Sequence, residues 1–407
     1  MTIVEAPGRD QPISAEAAPV AVFLGRAASG PLSEPVAIAS LADYERVFGM
    51  PLADSTLGDT LAQFFQHGGR RAVVVRLANN ARSSVIDLPT DGEPLRLAAA
   101  NPGSGERLRV SVDFDRIEPD SERFNLTVQR MDAAGRHITD QELFPRLSVR
   151  PGDERFVGNV LTSSSLVRLD DASAAGMLPR ATAARVSDFA IDYVGIARVG
   201  ADGDQLSDYD LIGSDQHSTG LFSLRATEHF DFLYACGAPQ TPVCTPTFIF
   251  AAERYCAERN AMLVIDSPPH CEDTQDALAW RARDAFQSAS IMTYFPTVVH
   301  READPGHDQP AAGALIGLLC KQDEQQHVWS ALADNVQQNS AALHRDWLPS
   351  TELDSDDALR LLRAGVNPLL TGMQRRLLFP GLVTAANGRD RQRGSLPHQR
   401  LVKFVLR

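Results

Sequence analysis

Between residues 20 and 77 the chain is a tightly punctuated run of elements, and few folds can accept it. The run Val20-Ala21-Val22-Phe23-Leu24 is apolar on both alternating faces, the pattern of a strand covered on both sides. Gly25 and Gly30-Pro31 end it. Ser40 is placed to cap a short helix, with Asp43 three residues on and Gly49 as its stop. Ser55 is the expected cap of the next helix, where Leu57, Leu61, Phe64 and Phe65 form one apolar stripe. Gly68-Gly69 closes that helix, and Ala72 to Val75 begins a second buried strand flanked by Arg70, Arg71 and Arg76.

From about Ser84 to Ala184 the pattern changes to period-two alternation, in 108–114 (LRVSVDF) and 124–128 (FNLTV), with turns at Asn101-Pro102-Gly103 and Ala134-Gly135. Strands with one wet face predict a small antiparallel β domain. From about Asp188 the α/β pattern returns. Residues 230–236, 261–265 and 291–299 read as buried strands, alternating with helices over 248–258, 274–286 and 356–363, the last stopped by Gly365. The expected organisation is an extended N-terminal arm (1–19), the first part of a discontinuous α/β core (20–86), an inserted antiparallel β domain (87–187) and the second part of the core (188–407).

At 407 residues the chain exceeds one small core, and two domains are the expectation. With 43% hydrophobic and 22% charged residues it has the composition of a folded, soluble protein. A net charge of −13 argues against a nucleic-acid partner, which needs a surplus of Lys and Arg on some face. The N-terminus lacks a basic region followed by an apolar one, and no apolar run approaches membrane-spanning length. No membrane insertion is expected, and the protein is expected in the cytoplasm of the producing cell. Cys236, Cys244, Cys256, Cys271 and Cys320 are irregularly spaced with no C-x-x-C pair, which suits free, mostly buried thiols.

Two places invite an enzymatic reading. Gly25-Arg26-Ala27-Ala28-Ser29-Gly30 follows a buried strand as a phosphate loop does, but Pro31-Leu32 stands where such a loop needs Lys-Ser or Lys-Thr. Asp266 ends a strand where α/β enzymes place catalytic carboxylates, although with no partner motif an aspartate before Ser267-Pro268-Pro269 better suits a loop cap at a proline corner. An α/β enzyme using Asp266 is therefore one alternative. His270 beside Cys271, and His300 with His307, lack any zinc spacing, and Asn101-Pro102-Gly103-Ser104-Gly105 lacks the first glycine of a nucleophile elbow. No catalytic, cofactor-binding or metal-binding residue is assigned, and no cofactor is expected. The arginines of 388–394 suit either a solvated loop or a face turned to an acidic partner.

The opening block resembles the start of the contractile tail sheath proteins of phages and of phage-tail-like contractile injection systems. Further segments follow in that family's order: AAANPGSGERLRVSV, whose Asn-Pro-Gly turn opens the inserted domain, then YCAERNAMLVIDSPP, DALAWRARDAFQSASIMTYFPTVV and the Gly365-Val366-Asn367-Pro368 turn. The chain also departs from the family. Gly105-Glu106-Arg107 replaces a Trp-Gly-Asn, Gln309-Pro310-Ala311-Ala312-Gly313 and Gln325 to Trp329 replace a Pro-Pro-Ser-Gly segment and an Arg-Gly stretch, and Leu378 to Ala386 replaces a Trp-Gly-Ala-Arg-Thr phrase. Leu401 to Arg407 resembles the start of a helix that in the family continues into a C-terminal arm, so that arm is expected to be lacking, by nature or by shortening. The resemblance implies a structural, non-enzymatic subunit of a helical polymer, a virion or particle component. Its partners would be other sheath subunits, an inner tube protein, and baseplate and cap proteins. It would contract to drive the tube through a target envelope. The lacking arm also admits a minor sheath-like or adaptor subunit at the baseplate or cap end.

Overall fold

A computed structural model describes residues 18–118, 121–132, 134–171, 173, 176–182, 192–239, 245–284, 286–302, 308–326, 328, 342–372, 376–386 and 391–406. The expected arm up to residue 17, Cys244, His307, His327, Trp329, residues 387–390 and Arg407 lie outside the described residues.

The first block folds as β1 (Ala21–Gly25), β2 (Pro35–Ile38), α1 (Leu41–Phe48), α2 (Leu57–Gln66) and β3 (Ala72–Arg76). Ser40 caps α1 by accepting from the Asp43 N–H at 3.1 Å, and Gly49 ends it with a positive φ that suits glycine. The cap of α2 differs from expectation. Thr56 occupies the position without a side-chain cap bond, because the Ser55 hydroxyl donates instead to the Arg26 carbonyl at 2.9 Å.

The alternating middle of the chain gives β4 (Val85–Leu88), β5 (Leu95–Ala99), β6 (Leu108–Asp113), β7 (Arg123–Met131), β8 (Ile138–Ser148), α3 (Val157–Val160), β9 (Val167–Leu169) and β10 (Val194–Gly195). These strands form two antiparallel sheets, β4-β5-β9 and β10-β6-β7-β8, packed on one core that includes Leu97, Val110, Phe124 and Leu147. The remainder supplies α4 (Asp208–Ile212), β11 (Phe232–Ala235), α5 (Pro246–Glu258), β12 (Met262–Asp266), α6 (Thr274–Asp284), β13 (Ile291–Phe295), β14 (Val298–His300), β15 (Asp308–Gln309) and α7 (Ala312–Gln325). After these come β16 (Trp347–Pro349), α8 (Ser355–Arg363), β17 (Asn367–Pro368), β18 (Leu370–Thr371), β19 (Leu377–Leu378), α9 (Arg391–Gly394) and α10 (Leu396–Val405).

The core is a seven-stranded sheet in the order β17-β13-β12-β11-β1-β3-β2, parallel except for β2 at its edge. Successive residues of each strand feed opposite layers. Phe23, Val74, Tyr234 and Val264 face the core shared with α1, α2 and α7, while Val22, Val75, Leu233 and Ile265 face the one shared with α5 and α6. Each fully buried side chain of this size contributes about 1.5–3 kcal/mol. The class is thus α/β, with antiparallel β sheets inserted between β3 and β11. The expected single strand over 291–299 is two. Pro296 interrupts it, and β14 turns away into a separate antiparallel sheet, β15-β14-β16.

Helix α7 is the element that periodicity does not single out, because every residue from 312 to 320 is buried and no polar face breaks the apolar run. Gly313 and Gly317, four residues apart on α7, lie against the backbone of α2. A Cβ at Gly313 would sit 2.1 Å from the Thr60 carbonyl oxygen, and one at Gly317 would sit 2.5 Å from that of Phe64. At the other end of α7, Asp323 forms an interior ion pair with Arg400 of α10, and Lys403 of α10 donates to the Ser290 hydroxyl at 2.9 Å. Replacing Gly313 or Gly317 by valine should lower unfolding free energy by about 3 kcal/mol in urea titrations, since backbone has to move. Gly195→Ala, at a site with open space, should stay within about 0.5 kcal/mol of the parent.

Candidate functional site

The glycine corner after β1 is occupied by the protein itself. Arg76, the last residue of β3, is wholly buried. Its guanidinium donates to the carbonyls of Ala27 (2.9 Å), Gly30 (2.7 Å) and Pro102 (2.6 Å). The Pro102 carbonyl belongs to the Asn101-Pro102-Gly103-Ser104-Gly105 turn, which lies directly on the corner. The Gly105 N–H donates to the Ala28 carbonyl at 2.9 Å, and a Cβ at Gly103 would fall 2.2 Å from that same oxygen. Burial lowers the Arg76 pKa to about 10, against the opposing pull of Asp202 and Glu106. Ser104 is held in turn by Asp202, its N–H at 2.7 Å and its hydroxyl at 2.6 Å. Carbonyl oxygens converge where a phosphate loop would present free N–H groups, so the corner is an anchorage for the inserted β sheets and not an anion cradle.

Asp266 sits at the C-terminal end of β12, half-buried on the wall of a cavity of about 580 Å³. Its carboxylate accepts from the hydroxyls of Tyr234 on β11 and Tyr294 on β13, the latter at 2.5 Å. Tyr294 in turn accepts from the Ala311 N–H at 2.6 Å, at the start of α7. Burial raises the Asp266 pKa to about 6, partly countered by the two phenol hydrogen bonds, and its presence raises the pKa of both tyrosines further. The group therefore pins three strands and a helix start together. No nucleophile or base with matched geometry accompanies it among the described residues.

The remaining candidates do not converge. Cys256, Cys271 and Cys320 are free and buried, Cys236 is buried as well, and burial lifts the Cys271 thiol to about 11, which keeps it protonated. His270 is exposed at the rim of the Asp266 cavity, while His300 packs its ring edge-on to Trp347 in another sheet. Among the described residues no group of three or more His, Cys, Asp or Glu could hold a metal ion. Open surfaces are more suggestive. Strand β8, 11 residues long, has a strand neighbour on one side only among the described residues, apart from a bridge from its last residue Ser148 to Phe156, and it exposes Ile138 and Leu143. Tyr209 on α4 and Phe250 on α5 are 89% and 71% exposed, well beyond what a buried-face helix needs. No described helix is long and apolar enough to cross a membrane.

Arg76→Met should destabilise the protein by about 3 kcal/mol or more, because three interior carbonyls lose their donor. Arg76→Lys should recover only part of this, since one ammonium does not reproduce the fork. A second expectation concerns pH. Buried His67, with Nδ1 on the Gln63 carbonyl and Nε2 accepting from the His344 N–H, is pushed down to about 4 by burial, so its contribution is present above pH 6.5 and is lost toward pH 4. Asp266 has the opposite sign: its raised pKa adds stability as pH falls through 6. Asp266→Asn should therefore lose more stability than the parent between pH 7 and pH 5, measured as urea midpoints.

No protein-family model and no curated protein matches the sequence. Solved structures do. A sheath tail protein from Listeria innocua superposes with a TM-score of 0.60 at 13% identity, covering 95% of this chain and 74% of its own. A sheath tail protein from Desulfitobacterium hafniense superposes with a TM-score of 0.54 at 11% identity, covering 99% of this chain and 80% of its own. Across nearly its whole length, therefore, this chain has the fold of these sheath tail proteins.

Proposed function

We propose that this protein is a structural subunit of a contractile sheath, polymerising helically around an inner tube and contracting to drive that tube through a target envelope. The observation that carries the reading is the fold likeness to sheath tail proteins over 95% and 99% of the chain. The filled corner supports it, because the commonest ligand position of such a sheet is taken up by the chain's own turn. In this reading the protein is not an enzyme, and its working residues are contacts between copies. Its partners are other sheath subunits, the tube protein, and the baseplate and cap proteins, with no nucleic acid among them. It resides in the cytoplasm of the producing cell until it is part of a phage tail or contractile particle.

The physical mechanism needs no cofactor. One heterologous contact repeated from copy to copy builds an open helix. An extended arm formed by residues 1–19 would add a strand to a neighbour's sheet, linking subunits through main-chain hydrogen bonds while they rotate. The arm leaves the core at a fixed point, where the Val20 N–H is held by the Asp231 carboxylate at 2.9 Å. The core in this scheme comprises 20–86 and 188–407, and the inserted domain 87–187. Contraction is a switch between two helical packings, and a bias of about 1–3 kcal/mol per copy multiplies along the polymer.

Electron microscopy of the protein, alone and co-expressed with a tube protein, should show tubes or helical fragments. Deleting residues 1–19 should leave a folded monomer with an unchanged circular dichroism spectrum and no assembly. A strictly monomeric parent under all these conditions contradicts the proposal, and normal polymerisation of the deletion contradicts the role of the arm.

A further inference from the structure

His67 stands where α2 meets a segment from far along the chain, and each of its ring nitrogens has a partner that works in one direction only. Nδ1 lies 2.7 Å from the Gln63 carbonyl, which can only accept, so Nδ1 carries the proton. Nε2 lies 2.8 Å from the His344 N–H, which can only donate, so Nε2 carries none. The residue is 5% exposed, and its neutral tautomer is fixed from both sides. A proton on Nε2 would set two donors against each other, and the bond to His344 would have to break.

The surroundings oppose that proton. His67 is the C-cap of α2, and a helix end by itself favours a cation. Against this stand the burial of the ring, the His344 ring, and the positive charges of Lys321 on α7 and Arg376 just before β19. Lys321 lies along the end of α2, where its stem would meet a Cβ at Gly68 at 2.8 Å. Glu324 of α7 is paired with Arg70 at 3.2 Å, and Asp346 faces the Nδ1 of His344 at 2.9 Å with Arg345 beside it.

The bond to His344 ties residues 342–349 to the end of α2, and a second tie follows where Trp347 Nε1 donates to Gln66 Oε1 at 3.2 Å. The other fastenings of this segment run elsewhere. The Leu343 N–H donates to the Leu377 carbonyl at 2.8 Å, β16 pairs with β14, and His300 of β14 lies edge-on to Trp347. Leu343 and Trp347 sit in the core layer shared with α2 and α7.

We propose that His67 is an acid-operated latch, holding residues 342–349 against the end of α2 while its ring is neutral and releasing them when Nε2 takes a proton. The pairing with β14 and the bond to Leu377 keep the released segment attached on its other side, so the change is local and the seven-stranded sheet keeps its fold. Release loosens Leu343 and Trp347 from the layer under α2 and α7. The latch lies within one copy and stands whether or not the chain polymerises.

The test is amide hydrogen exchange of the full chain between pH 7 and pH 4, corrected for the intrinsic pH dependence of exchange and read on peptides covering 342–349, β1 and β11. A released ring titrates near the ordinary 6.5 and the held ring at about 4. The ratio of released to held segment should therefore rise by up to about tenfold per pH unit lost across that window, with β1 and β11 unchanged. Exchange at the imidazole C2 hydrogen follows protonation of His67 in the parent without any substitution, and its midpoint should coincide with the loss of protection at 342–349. His67→Gln keeps a donor and an acceptor but no titrating ring, and should abolish the pH dependence. His344→Gln and His300→Gln leave the His344 N–H in place and should retain it. If His67→Gln does not fold, the two midpoints of the parent decide alone. Release that persists in folded His67→Gln, a His67 ring that titrates with no change at 342–349, or simultaneous loss of protection in β1 and β11 would overturn the proposal.

Discussion

The buried guanidinium of Arg76 is the interaction on which the arrangement of the two halves rests. It is a cation without a bonded carboxylate, satisfied by three main-chain carbonyls from two segments far apart in the chain. Lone buried charges are expensive, and this one is kept only because the oxygens of Ala27, Gly30 and Pro102 converge on it while Asp202 and Glu106 lie near. The corner after β1 and the turn at 101–105 therefore have to form together. Glycine at 103 and 105 follows from the same requirement, since either side chain would collide with Ala28.

Much of the core was legible in the sequence because strands covered on both faces have few alternatives. β1 and β3 feed Phe23 and Val74 to one layer and Val22 and Val75 to the other, which is what two-sided apolar runs require. The turn at Asn101-Pro102-Gly103 was equally readable as a turn, but not as a plug, because the sequence does not say which corner it meets. Arg76 looked like the polar end of a strand for the same reason. Helix α7 left no periodic trace, since a helix buried on all sides has no wet face to mark it. Asp266 was visible as an end-of-strand carboxylate. Its partners, Tyr234 and Tyr294, come from strands that become neighbours only through the order of the sheet.

That order also explains why two suggestive places lie along one edge. β3 joins β1 on one side and β11 joins it on the other, so the connections diverge at the carboxyl ends of the strands and open a crevice. The inserted turn fills the part above β1. The part above β11 and β12 stays open as the cavity at Asp266, whose carboxylate is organised by tyrosines and not by a second catalytic group.

The glycine-backed contact of α7 on α2 has a mechanical consequence. Where two helices meet through side chains, rotamer changes let them slide by fractions of an ångström; where backbone meets backbone, as at Gly313 and Gly317, that slack is missing. The α2–α7 pair is then a stiff strut across the sheet, with Arg400 and Asp323 tying α10 to its far end. A displacement imposed on α10 would reach the layer below β1 with little loss, and the core would turn as one piece.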